Sequence, residues 1–307
     1  YNIVDQIFIG QCVGELGNAA TNVAFPFTTL CIATALAFGI GGASGFNLNL
    51  GAGEKEKAPY FIGVSASMMF IIGVVLSVVG LTALKPLLLF FGSTDTVLPY
   101  AMEYTKYLAL GFPFAIISSG GSHLVRADGS PKFSMACNLV GAIVNVILDY
   151  LFVMVFNWKM AGAAIATVIG QILASIMVIW YLIHFKTIKL HGKHFVPQLK
   201  IVGRTVHLGM AQCLNQLAIM LVQVVMNKSL TYYGALSPYG ADIPLACTGI
   251  VMKVNQVYFS ICIGVAQGIQ PIASFNRGAG KNDRVKKTYK LAVSCNTIIS
   301  TIAFIIF

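Results

Sequence analysis

The chain has 307 residues, of which 57% are hydrophobic and only 10% charged, and its mean hydropathy is +0.80. Soluble domains carry roughly a quarter charged residues, so a soluble globular protein is excluded and an integral membrane protein is expected. The formal net charge of +10 requires no nucleic-acid partner, because its placement along the chain accounts for it as an orientation signal beside anionic membrane lipid.

In chain order, an apolar piece over residues 1–13 reads as the tail of a first span. Eight longer runs follow, at 22–50, 60–84, 97–124, 133–156, 160–185, 205–231, 243–275 and 288–307, each near or above the roughly 20 residues that cross a bilayer as a helix. The fold class is therefore all-α, a polytopic membrane protein. There is no initiator Met and no secretory signal with a basic start and small-residue cleavage site. The chain is expected to begin inside its first helix and to stop at the end of its ninth.

Basic residues gather between alternate spans: Lys55 and Lys57, then Arg126 and Lys132, then Lys186, Lys189, Lys193, Lys200 and Arg204, then the run from Arg277 to Lys290. By the positive-inside rule these loops face the cytoplasm. The seven cysteines, at 12, 31, 137, 213, 247, 262 and 295, lie scattered through apolar runs without a C-x-x-C and read as small buried hydrophobes.

Two stretches more than two hundred residues apart share one pattern. Gly51-Ala52-Gly53 and Gly278-Ala279-Gly280 each end a long apolar run, each follows an Asn (Asn47 and Asn49; Asn276), and each leads into charges. Glycine accepts the left-handed backbone that closes a helix. Matching the second span to the eighth makes the chain two copies of a six-helix unit with the same orientation, the parallel-repeat arrangement of rocking transporters. The first copy covers 1–185, a basic cytoplasmic linker covers 186–204, and 205–307 holds helices 7 to 9 of the second.

Few carboxylates fall inside the spans, and Asp5 and Asp149 stand out, since an ionisable group at bilayer depth is costly and marks a functional site by default. Asn145 precedes Asp149 by four residues and shares its helix face. Thr167 lies eight residues beyond the turn Asn157-Trp158-Lys159 and Asp149 eight before it, so both sit about 12 Å below one surface. Asp5 precedes a turn at 15–18 that opens on the same side. Three helices thus bring two carboxylates, an amide and a hydroxyl to one level. Hard oxygen donors of this kind suit a hard cation, and two adjacent carboxylates at low dielectric can take up a proton instead.

Other features carry less. Pro26, inside the second span, is expected to kink it. Gln216, Met220, Gln223, Met226 and Asn227 on the seventh span are candidates to line a cavity for flat organic cations, with lipid-facing packing the plainer reading of the methionines. Asp128 reads as a turn residue before Pro131. The histidines at 184, 191, 194 and 207 cluster at the basic segment, where HGKH reads as a solvated loop rather than a metal site. A membrane-embedded enzyme lacks its signals, since neither H-E-x-x-H nor G-x-S-x-G occurs. No catalytic residue, resident metal or cofactor is expected.

Five blocks occurring in order carry a family resemblance: YNIVDQIFIGQ (1–11), GAG followed by EKEKA, LVRADGSPKFSMACNLVGAIVNVILDYLF (124–152), AGAAIATVIGQ (161–171) and GVAQGIQPIASFNRGAGKNDRVKK (264–287). They resemble the multidrug and toxic compound extrusion (MATE) family, and Q-G-I-Q-P-I is similar to its bacterial multidrug-exporter branch. The resemblance implies twelve helices in two six-helix lobes, of which about nine are present here. It also implies residence in a bacterial inner membrane as a monomer, and exchange of Na⁺ or H⁺ for organic cations by alternating access. It carries the coupling-ion role over to Asp5, Asn145, Asp149 and Thr167. Some branches have an acid on helix 7, and NQLAIMLVQVVMN (215–227) has none, which weakens the expectation of a cation site in the second lobe. The alternative is a lipid-linked oligosaccharide flippase of the same two-lobe architecture, which would want a basic cavity.

Overall fold

A computed structural model describes residues 2–236, 238 and 242–306, with the side chains of residues 2–3, 227–228, 231, 235, 242–247, 249–250, 253–254, 256 and 306 outside the description. The expectation for Asn227 therefore lies outside the described side chains. At bilayer depth every backbone N–H and C=O must be met inside the chain, which leaves helices as the available form for these apolar runs. The helices are α1 (Asn2–Cys12), α2 (Glu15–Gly51), α3 (Ala58–Thr82), α4 (Leu84–Phe90), α5 (Leu98–Ala127), α6 (Pro131–Asp149), α7 (Lys159–Ile183), α8 (Leu199–Ala235), α9 (Asp242–Gly278) and α10 (Asn282–Ile306). No strand occurs among the described residues. All eight expected long spans are present, and α3, α5 and α6 each open with Pro in their first turn, where its missing N–H costs nothing.

The boundaries differ from the sequence reading where polar residues extend a helix past the hydrocarbon. α2 starts at Glu15, not 22, and the first turn falls at Val13–Gly14, where Gly14 has φ 80°, not at 15–18. α8 starts at Leu199, inside the segment read as linker, and the charged run 282–290 is already helical. Hydropathy reports the apolar thickness, and the helical hydrogen-bond ladder continues beyond it. α4 has no counterpart among the expected spans because its seven residues are far short of a crossing.

The chain divides into two compact units, Tyr1–Phe46 with Lys55–Gln216, and Asn47–Glu54 with Leu217–Phe307. In the first unit α5 is the most enclosed span, with 78% of its apolar window buried. It packs on α3 and α7, and α6 packs on α7.

The second unit brings the two GAG turns together. Their backbone bonding is the same at an offset of 227 residues: Ala52 N–H to Leu48 O (3.0 Å), Gly53 N–H to Leu50 O (3.2 Å) and Glu54 N–H to Asn49 O (2.9 Å) match Ala279 to Phe275 (3.0 Å), Gly280 to Arg277 (3.2 Å) and Lys281 to Asn276 (2.9 Å). The two glycines of each turn do different jobs. Gly53 and Gly280 have φ of 82° and 70°, with open space where a Cβ would stand. Gly51 and Gly278 are helical, and a Cβ on either would run into the carbonyl of the other helix, that of Phe275 or of Leu48. The contact is reciprocal, each glycine meeting the carbonyl three residues before the other. A similar reciprocal crossing in the first unit sets Gly41 on Thr205 and Gly209 on Ala37.

The basic segment after α7 is anchored to the first unit at two points. Asp128, in the turn between α5 and α6, accepts from Lys186 N–H (2.7 Å), Thr187 N–H (2.9 Å) and the Tyr181 hydroxyl (2.8 Å). Further on, a 3₁₀ turn at Gly192–Phe195 lies on α3. There Ser67 Oγ donates to Phe195 O at 2.7 Å, the Tyr60 and His194 rings meet edge-on at 4.8 Å, and the His191 N–H donates to His194 Nδ1 at 3.0 Å. The reading of HGKH as a solvated loop is thus corrected at His194, which is buried. The ring is uncharged as an acceptor, and the His194 backbone lies against Gly63, where a Cβ would strike the His194 carbonyl.

Two outcomes follow from these contacts. Asn tolerates the left-handed region, so Gly53→Asn retains most of the stability, whereas Gly51→Asn or Gly51→Ala overpacks the crossing and costs about 1–3 kcal/mol. Thermal unfolding of the purified variants separates the two. Burial first, then the charges of Lys193 and His191, hold the His194 imidazole below its ordinary 6.5. The unfolded segment then binds a proton before the folded one does, so the latch is fully stable above about pH 6.5 and weakens as pH falls from there through the lowered value. Hydrogen exchange of the 191–196 amides, corrected for intrinsic rates, should accelerate below pH 6.5, and His194→Gln should remove that dependence.

Candidate cation site

The four residues singled out in the first unit come together. Asp5 lies on α1, Asn145 and Asp149 on the last turns of α6, and Thr167 on α7, all buried and Asp149 fully so. Asn145 Nδ2 donates to Thr167 Oγ1 at 3.3 Å. The Thr167 hydroxyl lies 3.3 Å from Asp5 Oδ2 and 3.0 Å from the Ala163 carbonyl, the two acceptors open to its single proton. The Asp149 carboxyl stands within reach of both Asp5 and Asn145. Asp5 Oδ1, Asn145 Oδ1 and both Asp149 oxygens have no hydrogen-bond donor.

Local geometry explains how helices this apolar deliver polar groups to one point. α6 and α7 approach closely where Gly141 and Gly170 face each other: a Cβ on Gly170 would stand 2.6 Å from Gly141 O, and one on Gly141 3.0 Å from Gly170 O. Asn145 lies one turn from Gly141 and Thr167 one turn from Gly170, so the crossing sets the reach of the amide to the hydroxyl. Directly after Asp149 the helix widens into a π turn over Tyr150–Val155, with Phe156 N–H donating to Leu151 O at 2.8 Å. Asn157 (φ 55°) and Lys159 (φ 48°) then reverse the chain, and Phe152 stacks on Trp158 at 5.0 Å. π turns of this kind recur at functional positions because they shift side-chain register by one residue. The sequence reading missed the turn and the glycine pair. A small residue four before Asn145 and another three after Thr167 was the available signal.

The cluster offers carboxylate, amide and hydroxyl oxygens. Among the described residues no three or more His, Cys, Asp or Glu are placed to hold a metal ion together; the donors of the cluster itself are hard oxygens. Unpaired buried carboxylates are costly, and a cation or a shared proton offsets that cost. The other expected residues lie elsewhere. Pro26 sits inside α2, which is helical on both sides of it, and its missing N–H leaves the Asn22 carbonyl without a helical donor. Gln216, Met220, Gln223 and Met226 are half-buried along one face of α8.

The MatE family model matches residues 1–151 and 212–307. "Multidrug export protein MepA" of Staphylococcus saprophyticus is 24% identical over 307 residues, all of this chain and 66% of that protein. A "FAD transporter" of Shewanella oneidensis is 24% identical, covering 99% of this chain and 67% of its own. Among solved structures, the MATE multidrug transporter DinF-BH superposes with a TM-score of 0.87 at 29% identity, covering 98% of this chain and 66% of its own. The chain thus spans about two thirds of the length of the curated relatives it matches.

The hydroxyl bridge is testable by stability alone. Thr167→Val keeps the shape but leaves the Asn145 amide and Asp5 Oδ2 without their shared partner, an expected loss of about 1–3 kcal/mol. Thr167→Ser restores most of it, as read from unfolding of the variants in detergent.

Proposed function

The chain belongs to the MatE family, and from that membership we propose that it is the membrane-embedded part of a secondary transporter that exports organic cations in exchange for Na⁺ or H⁺. The observation that carries the proposal is the convergence of Asp5, Asn145, Asp149 and Thr167 in the first unit, with both Asp149 oxygens buried and without donors. Relatives named for multidrug export support the drug-export half of the reading. The clustering of Lys and Arg at alternate helix ends supports an orientation with the basic loops in the cytoplasm.

Coupling follows from charge. Taking up Na⁺ or a proton removes the repulsion between Asp5 and Asp149, which is large in a low-dielectric interior, and so changes how α1 packs on α6 and α7. If the cation favours one packing and drug the other, the two ligands compete by linkage, each weakening the other by the same factor. A dinucleotide such as FAD, the substrate in the name of the Shewanella relative, is anionic and would want a basic lining. The cluster described here is acidic, which favours cations, and the same chemistry disfavours a flippase for phosphorylated lipids.

Full-length protein in proteoliposomes, with Na⁺ and pH gradients imposed separately, should extrude ethidium under at least one of them. Asp149→Asn should abolish coupled efflux while inserting normally, and Thr167→Ala should weaken coupling less, because both charges remain. Drug affinity that stayed constant from about pH 5 to 8, with and without Na⁺, would assign the acidic cluster a purely structural role.

A further inference from the structure

A groove of about 540 Å³ opens between α5 and α7, at the end of the first unit opposite Arg126 and Lys186. Sites for small ligands span roughly 300–1,000 Å³. Glu103 and Tyr107, one turn apart near the start of α5, form one wall, and Ala161 and Ile165, in the first two turns of α7, form the other. Trp158 and Lys159 close its end. None of these residues belongs to the acidic cluster. The apolar run of α6 and its π turn stops at Val155 and that of α7 starts at Lys159, so the turn between them lies where hydrocarbon gives way to headgroups. The groove is therefore level with the lipid headgroups of the leaflet opposite the basic loops.

The end of the groove is built firmly. Trp158 N–H donates to Phe152 O at 2.8 Å, Trp158 O accepts from Gly162 N–H at 3.1 Å, and the indole stacks on Phe152 at 5.0 Å and meets Phe156 at 5.7 Å. Gly162 permits the approach, since a Cβ there would stand 3.0 Å from the Phe152 carbonyl. The indole is still 48% exposed. Lys159 takes a left-handed backbone, φ 48°, which is costly for a residue with a Cβ, and with it a positive charge is set at the groove. On the facing wall Glu103 is exposed although it lies five residues into a spanning helix, about 8 Å from its start. Lys106, one turn further along α5, is outside the lining. Within the groove, then, Glu103 supplies the negative charge and Lys159 the positive one.

We propose that this groove binds the headgroup of one zwitterionic phospholipid with a primary amine, its ammonium on Glu103 between the aromatic groups of Tyr107 and Trp158, and its phosphate on Lys159. The first apolar carbons of the lipid then lie on Ala161 and Ile165. Complementarity selects this headgroup, because it carries an ammonium and a phosphate on one short arm and meets an opposite charge at each. An anionic headgroup satisfies Lys159 but leaves Glu103 beside further oxygens. A choline headgroup keeps both charges yet cannot donate hydrogen bonds to the carboxylate. A lone organic cation leaves Lys159 unmatched. Tyr and Trp are at home at the membrane boundary and attract cations through their ring faces. The turn that the lipid caps joins the elements carrying Asp149 and Thr167, so occupancy of the groove stabilises the first unit.

Delipidated full-length protein in detergent is titrated with dioctanoyl phosphatidylethanolamine, phosphatidylcholine or phosphatidylglycerol, with bound lipid counted by native mass spectrometry and thermal unfolding followed alongside. Comparing variants with the wild type removes the contribution of lipid bound elsewhere. The wild type should bind one phosphatidylethanolamine about tenfold more tightly than phosphatidylglycerol, a difference of roughly 1.4 kcal/mol, with phosphatidylcholine between, and its melting temperature should rise most with the first. Glu103→Gln should bring the affinities for phosphatidylethanolamine and phosphatidylglycerol to within about twofold of each other. Lys159→Gln should weaken both. A wild type that binds phosphatidylethanolamine no better than phosphatidylglycerol overturns the proposal, as does a preference unchanged by Glu103→Gln. Ethidium that displaces the lipid and loses its own binding in Glu103→Gln would make the groove a drug site and overturns it too. Both positions are exposed, and should Glu103→Gln fail to insert, unchanged lipid affinities in Lys159→Gln overturn the proposal alone. The outcome does not depend on the antiport reading.

Discussion

Two carboxylates side by side in a hydrocarbon-embedded helix bundle are the costliest feature of this molecule, and much of the first unit is arranged around them. Asp5 and Asp149 are both buried. A neutral shell of Asn145 and Thr167 holds them in register, and that shell exists only because α6 and α7 touch backbone to backbone at Gly141 and Gly170. The π turn that follows Asp149 belongs to the same arrangement. Its wider ladder and the aromatic stack of Phe152 on Trp158 end α6 and start α7 with both polar positions at one depth.

Glycine contacts do the corresponding work at the basic end. In lipid, helices gain little from burying apolar side chains against each other, so close backbone packing supplies the contact. The two GAG turns show this division of labour in duplicate: one glycine removes a side chain from a crossing, the other supplies a left-handed residue, and the bonding between them repeats at a constant offset. That a pattern of three residues recurs with both functions intact is stronger support for an internal repeat than likeness of composition.

The basic segment is more than a tether with charges. Its start is held by Asp128 and its middle by Ser67, Tyr60 and the step at Gly63. The charged groups of the segment, Lys193 among them, stay at the surface, while its backbone donors and carbonyls are used to grip the helix ends. Surface charge and a fixed path for the chain are thus met by different atoms of the same segment.

Hydropathy, charge and spacing alone determined the class of the molecule, its eight long spans and which four polar residues meet in the first unit. Each of these depends on the cost of placing a polar or charged group in hydrocarbon, and that cost is legible residue by residue. The likeness of the two turns was legible as well, since Gly-Ala-Gly followed by charge has few structural meanings. What the sequence could not determine was everything set by approach distance: that Gly141 and Gly170 bring Asn145 to Thr167, that the helix widens after Asp149, and that His194 is buried. Helices rising about 1.5 Å per residue are predictable one at a time. Which pair of small residues lets two of them touch depends on packing across the bundle, and only the tertiary structure decides it.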